Sequence, residues 1–154
     1  MKIIKTLLLP AALPLLLQLV HATPSTAIGF IAATGFTITG ASFADGNTFM
    51  TITVTTMLTG TLSGTGVDLA SLLVHSDGTF NAQHLSTCTC SFDGQSGTLN
   101  SIFNLKGSMV TRVAIGQWTI LSGTGGLSTL RGQGTLNGAP FVGADYSLQI
   151  HFEP

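Results

Sequence analysis

The chain has 154 residues, 44% of them hydrophobic and 7% charged, with 19 glycines and a formal net charge of −1. Five Lys and Arg against six Asp and Glu leave no basic patch for a nucleic-acid backbone and too little charge for a disordered or coiled-coil chain. The length fits a single core, since domains typically hold about 100–150 residues.

Residues 1–22 open with Lys2 and Lys5, run apolar from Leu7 to Val20 through Pro10 and Pro14, and end Val20-His21-Ala22. A basic start, an apolar run and small residues at the end predict a secretory signal peptide cleaved after Ala22. The alternative, a membrane anchor, needs about 20 consecutive apolar residues, and two prolines interrupt this run. No later stretch is long and apolar enough to span a bilayer stably. The expected product is one secreted domain, 23–154, in which Lys106, Arg112 and Arg131 face six carboxylates, a net charge of −3.

From residue 23 the pattern has period two, with β-branched and aromatic residues broken at short intervals by Gly, Asn and Asp. The expected strands are 27–40, 48–63, 67–75, 79–92, 97–106, 110–121, 130–136 and 144–153. Turns are expected at Asp45-Gly46-Asn47, Gly64-Thr65-Gly66, Ser76-Asp77-Gly78, Asp93-Gly94, Gly107-Ser108, Gly123 to Gly126 and Asn137-Gly138, because these residues tolerate the positive φ of tight hairpins. In the last strand Tyr146, Leu148, Ile150 and Phe152 share one face, and Asp145, Ser147, Gln149, His151 and Glu153 the other. Neighbours in sequence pair most readily as antiparallel hairpins. An all-β, eight-stranded antiparallel closed barrel follows, because closure removes two Thr- and Val-rich edges that an open meander would expose. Eight strands also make an interior able to hold one small ligand or to be filled by side chains.

Asp93-Gly94-Gln95-Ser96-Gly97, the segment Gly123-Thr124-Gly125-Gly126-Leu127 through Leu130-Arg131-Gly132-Gln133-Gly134, and the closing Asp145-Tyr146-Ser147-Leu148 occur in this order. The stretch from Phe30 to Phe152 thereby resembles a little-characterised domain family with the allene oxide cyclase-like β-barrel fold. Thr61 and Ser63 stand where relatives more often carry acidic residues, and Ser86 and Thr87 near a charged pair in them. Relatives in fold include allene oxide cyclase, the dirigent proteins and microbial ring-closing cyclases. The resemblance implies a cofactor-free cyclase or isomerase acting on an apolar reactive small molecule, whether polyketide, terpenoid or lipid-derived, and a homo-oligomer.

Six residues are candidates for such a site. Tyr146, at the start of the apolar face of the last strand, offers a hydroxyl as proton donor, or packs as core. Arg131 offers a guanidinium to an anionic or carbonyl group, or satisfies backbone carbonyls and pairs with Asp145 near the rim. Trp118 and Arg112 share strand parity with Gly116, which leaves space beside the indole or marks a twist. His84 and Phe152 complete the expected substrate contacts. His75 and His151 are read as surface or rim residues, and spacing alone builds no Ser-His-Asp or paired-carboxylate arrangement.

No metal site is expected. His84, Cys88 and Cys90 share a face, but His84 and Cys88 stand about 13 Å apart along a strand, too far for one ion. The cysteines are read as two small buried thiols, with a strained or intermolecular disulfide as the alternative, because same-face neighbours are about 6.5 Å apart in a flat strand. The Thr-x-Thr pieces at Thr37, Thr51 and Thr87 have no common period, so threonine serves as a polar, β-favouring outer face rather than a repeated array. No nucleotide fingerprint is present and no cofactor is expected. Three functions stay open: the cyclase or isomerase, a non-catalytic carrier of apolar ligands, and a structural or surface-interaction barrel with a filled core.

Overall fold

Side-chain alternation sorts each segment from Ser25 onward into an inner and an outer row, and hydrogen bonding between consecutive segments joins the rows into one sheet. The computed structural model describes residues 23–154; the expected signal peptide, residues 1–22, lies outside the described residues. The strands are β1 Ser25–Ala44, β2 Asn47–Gly60, β3 Ser63–Val74, β4 Thr79–Phe92, β5 Gln95–Ser108, β6 Val113–Gly123, β7 Leu130–Ala139 and β8 Gly143–Phe152. Each pairs antiparallel with the next, and β1 pairs with β8 through Ser25↔Ile150 to Ala32↔Gly143, so eight strands form a closed ring. Among the described residues the only helical element is a 3-10 turn at Gly125–Leu127.

The expected turns divide into two groups. Asp45-Gly46 and Asp93-Gly94 are two-residue hairpin loops with φ of 50° and 75°, and 49° and 76°, the left-handed pair that a tight hairpin uses. Ser76-Asp77-Gly78 also turns, with Asp77 Oδ1 accepting from the Thr79 N–H at 2.9 Å and its hydroxyl at 2.7 Å. The turns expected at Gly64, Gly107 and Asn137-Gly138 instead fall at residues 61–62, 109–112 and 140–142. These glycines lie within strands because a β-carbon there would strike the neighbouring chain: at Gly107 it would meet the Val113 carbonyl and the Phe80 ring, and at Gly138 the Gly143 carbonyl. Close backbone approach in a coiled sheet, rather than reversal of the chain, is what they permit.

Beyond Ala33, β1 pairs with β2 alone. Register shifts at Thr34 and Thr39 are spanned by their hydroxyls, each donating to a carbonyl on β2, of Thr55 and Thr51, at 3.1 Å.

The inner rows pack into two clusters. At the end that holds Ser25, Phe152 and the turns 61–62, 93–94 and 124–129, the ring is filled by Leu62, Leu99, Leu127, Leu130, Leu148 and Ile150, with Trp118 beneath them. The 3-10 turn inserts Leu127 as a plug. At the opposite end the inner residues are smaller: Ile52, Val54, Ala70, Leu72, Phe80, Ala82 and Ala114.

Cys88 and Cys90, both in the filled end, are joined as a disulfide with their Cα atoms 5.5 Å apart. This corrects the expectation of two free thiols: the two same-face Cα atoms are closer than the about 6.5 Å of a flat strand and at the about 5.5–6 Å that a disulfide prefers.

Candidate functional site

Alanine is what leaves the second end hollow. Ala33, Ala70, Ala82, Ala114, Ala139 and Ala144 line a cavity of 110 Å³, together with the rings of Phe80, Phe103 and Phe141. No Lys or Arg is among the lining residues, and their polar side chains are those of Thr56, Asp68 and His84.

Asp68 and His84 come from adjacent strands. The β3–β4 register sets Ala70 opposite His84 and Asp68 opposite Ser86, so the two functional side chains are diagonal neighbours on the inner face, within reach of each other. His84 Nδ1 lies 3.2 Å from Asp68 Oδ2. The carboxylate is 2% exposed and the imidazole 17%. Asp68 Oδ1 has no hydrogen-bond partner among the described residues. The imidazole also lies beside the Phe103 ring, with centroids 6.0 Å apart. With Nδ1 engaged on the carboxylate, Nε2 is the nitrogen left to meet a ligand, and a histidine oriented in this way can serve as a proton-transferring group.

The rim is built by the turn 140–142. Phe141 has φ 60°, a conformation that costs a bulky residue roughly 1–2 kcal/mol. It lines the cavity and packs with a tilted ring against the exposed Phe36 of β1, ring centroids 5.1 Å apart.

Of the six residues expected at a site, the structure brings His84 alone to the cavity. Tyr146, Trp118, Arg131 and Phe152 belong to the filled end. Trp118 is 2% exposed and packs edge-on against Phe103 and Tyr146, with centroids 5.2 Å from each; its indole N–H has no hydrogen-bond partner among the described residues. Arg131 donates from Nη1 to the carbonyls of Ser128 at 3.1 Å and Leu130 at 2.8 Å, and its Nε lies 3.2 Å from Glu153. The β7–β8 register sets Asp145 opposite Asn137, which is why Glu153 rather than Asp145 is its ion-pair partner. Phe152 packs on Phe92 with ring centroids 5.9 Å apart. Arg112 is exposed in the turn 109–112 with φ 58°, so it does not share a strand face with Trp118. His75 bridges Asn47 and Asn81 at 3.2 Å each, outside the cavity lining.

Tyr146 uses its hydroxyl on the backbone. The oxygen accepts from the Leu62 N–H at 2.9 Å, and the proton lies between the carbonyls of Leu62 at 3.1 Å and Thr59 at 3.3 Å. Gly29, paired with Tyr146 across the β1–β8 seam, makes room for it, since a β-carbon there would lie 2.5 Å from the hydroxyl. This bond set ties the last strand to the bend at 61–62. Burial pushes the Tyr146 phenol above its ordinary value of 10.0, against the Leu62 hydrogen bond, which lowers it. A raised pKa in the folded state means that its contribution is fully present below the unfolded value and is lost as pH rises through the folded one. Tyr146→Phe, which leaves the buried Leu62 N–H unpaired, is expected to cost about 1–3 kcal/mol in denaturant unfolding at neutral pH. It should also remove part of the stability loss above pH 10, and an alkaline profile identical to wild type would contradict this role.

The functional residue that sequence reasoning missed is Asp68. Its signal was present: Asp68 interrupts the apolar row Ala70 and Leu72, and pairing around the turn at 76–78 brings it beside His84. That signal was masked because Val67, Leu69 and Leu73 make the opposite row of β3 equally apolar.

No helix among the described residues is long and apolar enough to cross a membrane. None of the curated proteins matches the chain. Its fold is similar to that of a solved structure from Shewanella oneidensis MR-1, described as a protein of unknown function from the DUF3224 family. The TM-score is 0.66 and the identity 13%, over 85% of this chain and 98% of that one. The family profile described as "Protein of unknown function (DUF3224)" matches residues 34–149, about three-quarters of the sequence, and the chain belongs to that family.

Proposed function

We propose that the ring is an allene oxide cyclase-like barrel that holds an apolar small molecule in its alanine-lined cavity and converts it without a cofactor, as an isomerase or cyclase. The observation that carries this reading is the Asp68–His84 pair, set in the wall of an otherwise apolar cavity. His84 Nε2 removes a proton from one position of the bound molecule and returns it to another, while the Asp68 carboxylate stabilises the imidazolium formed in between. Apolar walls hold the substrate in a reactive conformation and exclude water. The resemblance of the Leu130-Arg131-Gly132-Gln133-Gly134 and Asp145-Tyr146-Ser147-Leu148 segments to the barrel family supports the reaction class. The hollow end favours ligand-holding roles over a filled structural core.

A carrier is the second reading, favoured by the Phe80, Phe103 and Phe141 rings in the cavity lining, which would shield an apolar cargo without acting on it. Secretion, proposed from residues 1–22, supplies the source of material for the test: mass spectrometry of an organic extract of the protein purified from the medium. The control is Ala82→Leu, which fills the cavity from β4 and is expected to change stability by no more than about 1–2 kcal/mol. The wild type should yield a retained apolar molecule that the variant lacks. Identical extracts from both, or an empty extract from each, would remove the ligand-holding reading.

A further inference from the structure

We propose that the ligand of this cavity carries a neutral hydrogen-bond donor, an alcohol, phenol or enol O–H, at its inner end, and that Asp68 Oδ1 is the atom that accepts it. The inference rests on the reading above that the cavity holds an apolar small molecule, and it specifies which kind.

Asp68 is 2% exposed, with one oxygen engaged by His84 and the other without any partner among the described residues. An unpaired buried acceptor is destabilising, the more so when it carries charge, and such atoms in folded proteins are generally matched by a group that the protein chain does not itself supply. The nearest inner-face neighbours in register are Val54 on β2 and Ser86 on β4, and neither bonds to Oδ1. The lining defines the rest of the ligand. With no Lys or Arg in the wall, an anionic ligand would find no counter-ion and would meet a carboxylate. An ammonium would bring three donors to a wall whose one buried acceptor without a partner among the described residues is Asp68 Oδ1. What remains is an apolar body with one polar, uncharged hydrogen. The volume of 110 Å³ sets the scale of the part enclosed: an apolar cavity of about 150 Å³ suffices to bind benzene. A single ring, or the tip of a longer molecule that leaves past Phe141, fits.

Three monocyclic probes of similar size separate the possibilities, with binding to the purified protein measured by calorimetry. Toluene and phenol differ by a methyl group in place of the hydroxyl, and benzoate adds an anion. A purely apolar cavity prefers toluene, because the phenol hydroxyl would be stripped of water without a partner. The expected result is the reverse: phenol binds about tenfold or more tightly than toluene, as a hydrogen bond to a charged acceptor allows, and benzoate does not bind measurably. In Asp68→Val the preference should fall to parity or invert, with toluene affinity kept within about threefold of wild type. Because the wild-type comparison decides alone, a variant that fails to fold leaves the test standing. Equal or weaker binding of phenol than toluene to wild type would overturn the inference while the apolar-cavity reading survives. Tightest binding of benzoate would overturn it as well, and binding of none of the three would overturn both.

Discussion

Trp118→Ala is expected to destabilise the protein by about 3–5 kcal/mol, the range for removing a large buried aromatic side chain, read as a lowered denaturant midpoint with an unchanged slope. Trp118 is the one tryptophan of the chain and lies 2% exposed where the filled and hollow ends meet. Its edge-on contacts with Phe103 and Tyr146 join the cavity wall to the side chain that pins the bend at 61–62. Truncation would therefore open a void beneath Phe103 as well as lose the transfer energy of the indole. Trp118→Phe separates these effects. It keeps most of the packing and deletes an indole N–H that has no partner among the described residues, so its cost should be well below that of alanine. A phenylalanine variant as unstable as the alanine variant would show that the indole N–H is satisfied in solution and contributes to stability. Any loss of activity in either variant is expected to follow folding, because Trp118 is not among the residues that line the cavity.

His84→Gln is expected to lower turnover of the native substrate by about 10²–10⁴-fold, the usual contribution of a positioned acid–base group, while leaving stability within about 1 kcal/mol of wild type. Glutamine keeps an N–H that can donate to Asp68 Oδ2 but cannot accept and return a proton near neutral pH. His84→Leu is the contrasting substitution. It strands the Asp68 carboxylate, 2% exposed, without the hydrogen bond from His84, and leaving a buried carboxylate without its partner is strongly destabilising. The pairing of these two variants distinguishes chemistry from scaffolding: a scaffold role predicts that glutamine restores function, whereas proton transfer predicts that it restores only the fold. Full turnover in His84→Gln would exclude His84 as the proton-transferring group, whereas absence of any turnover by the wild type would move the protein to the carrier reading.

The hairpins were legible wherever a residue's local chemistry forces a turn. Asp45-Gly46 and Asp93-Gly94 turn where expected because an Asp-Gly pair adopts two successive positive φ angles at little cost. β4 runs from Thr79 to Phe92, as its alternation predicts. Gly64, Gly107 and Gly138 misled for a reason that is not local. Their lack of a β-carbon serves the close approach of the paired strand, which exists only once the strands have paired and coiled.

The candidate site was less legible than the fold. Tyr146 and Phe152 share the apolar face of the last strand as expected, and the inner face of the strand that carries Trp118 was left open; an inward side chain in a closed ring can in any case belong to either end. Here the leucines and the plug at Leu127 fill one end, and the alanines hollow the other. The inner face of β3 was ambiguous as well. Val67 and Leu69 are 47% and 61% exposed, as is Leu85 at 53% on β4, so the outer row is as apolar as the inner one and hydrophobicity gives no vote between them.

By itself, then, the sequence determined the all-β class, the count of eight strands, their order and their antiparallel pairing, because period-two alternation and Asp-Gly turns act over two to four residues. Only the tertiary structure decided which face is inside, which end is hollow, that Cys88 and Cys90 are bridged, and that Asp68 lies against His84. Each of these depends on the coiling and closure of the whole sheet, which fixes inside and outside for every strand at once and leaves no mark on any single segment.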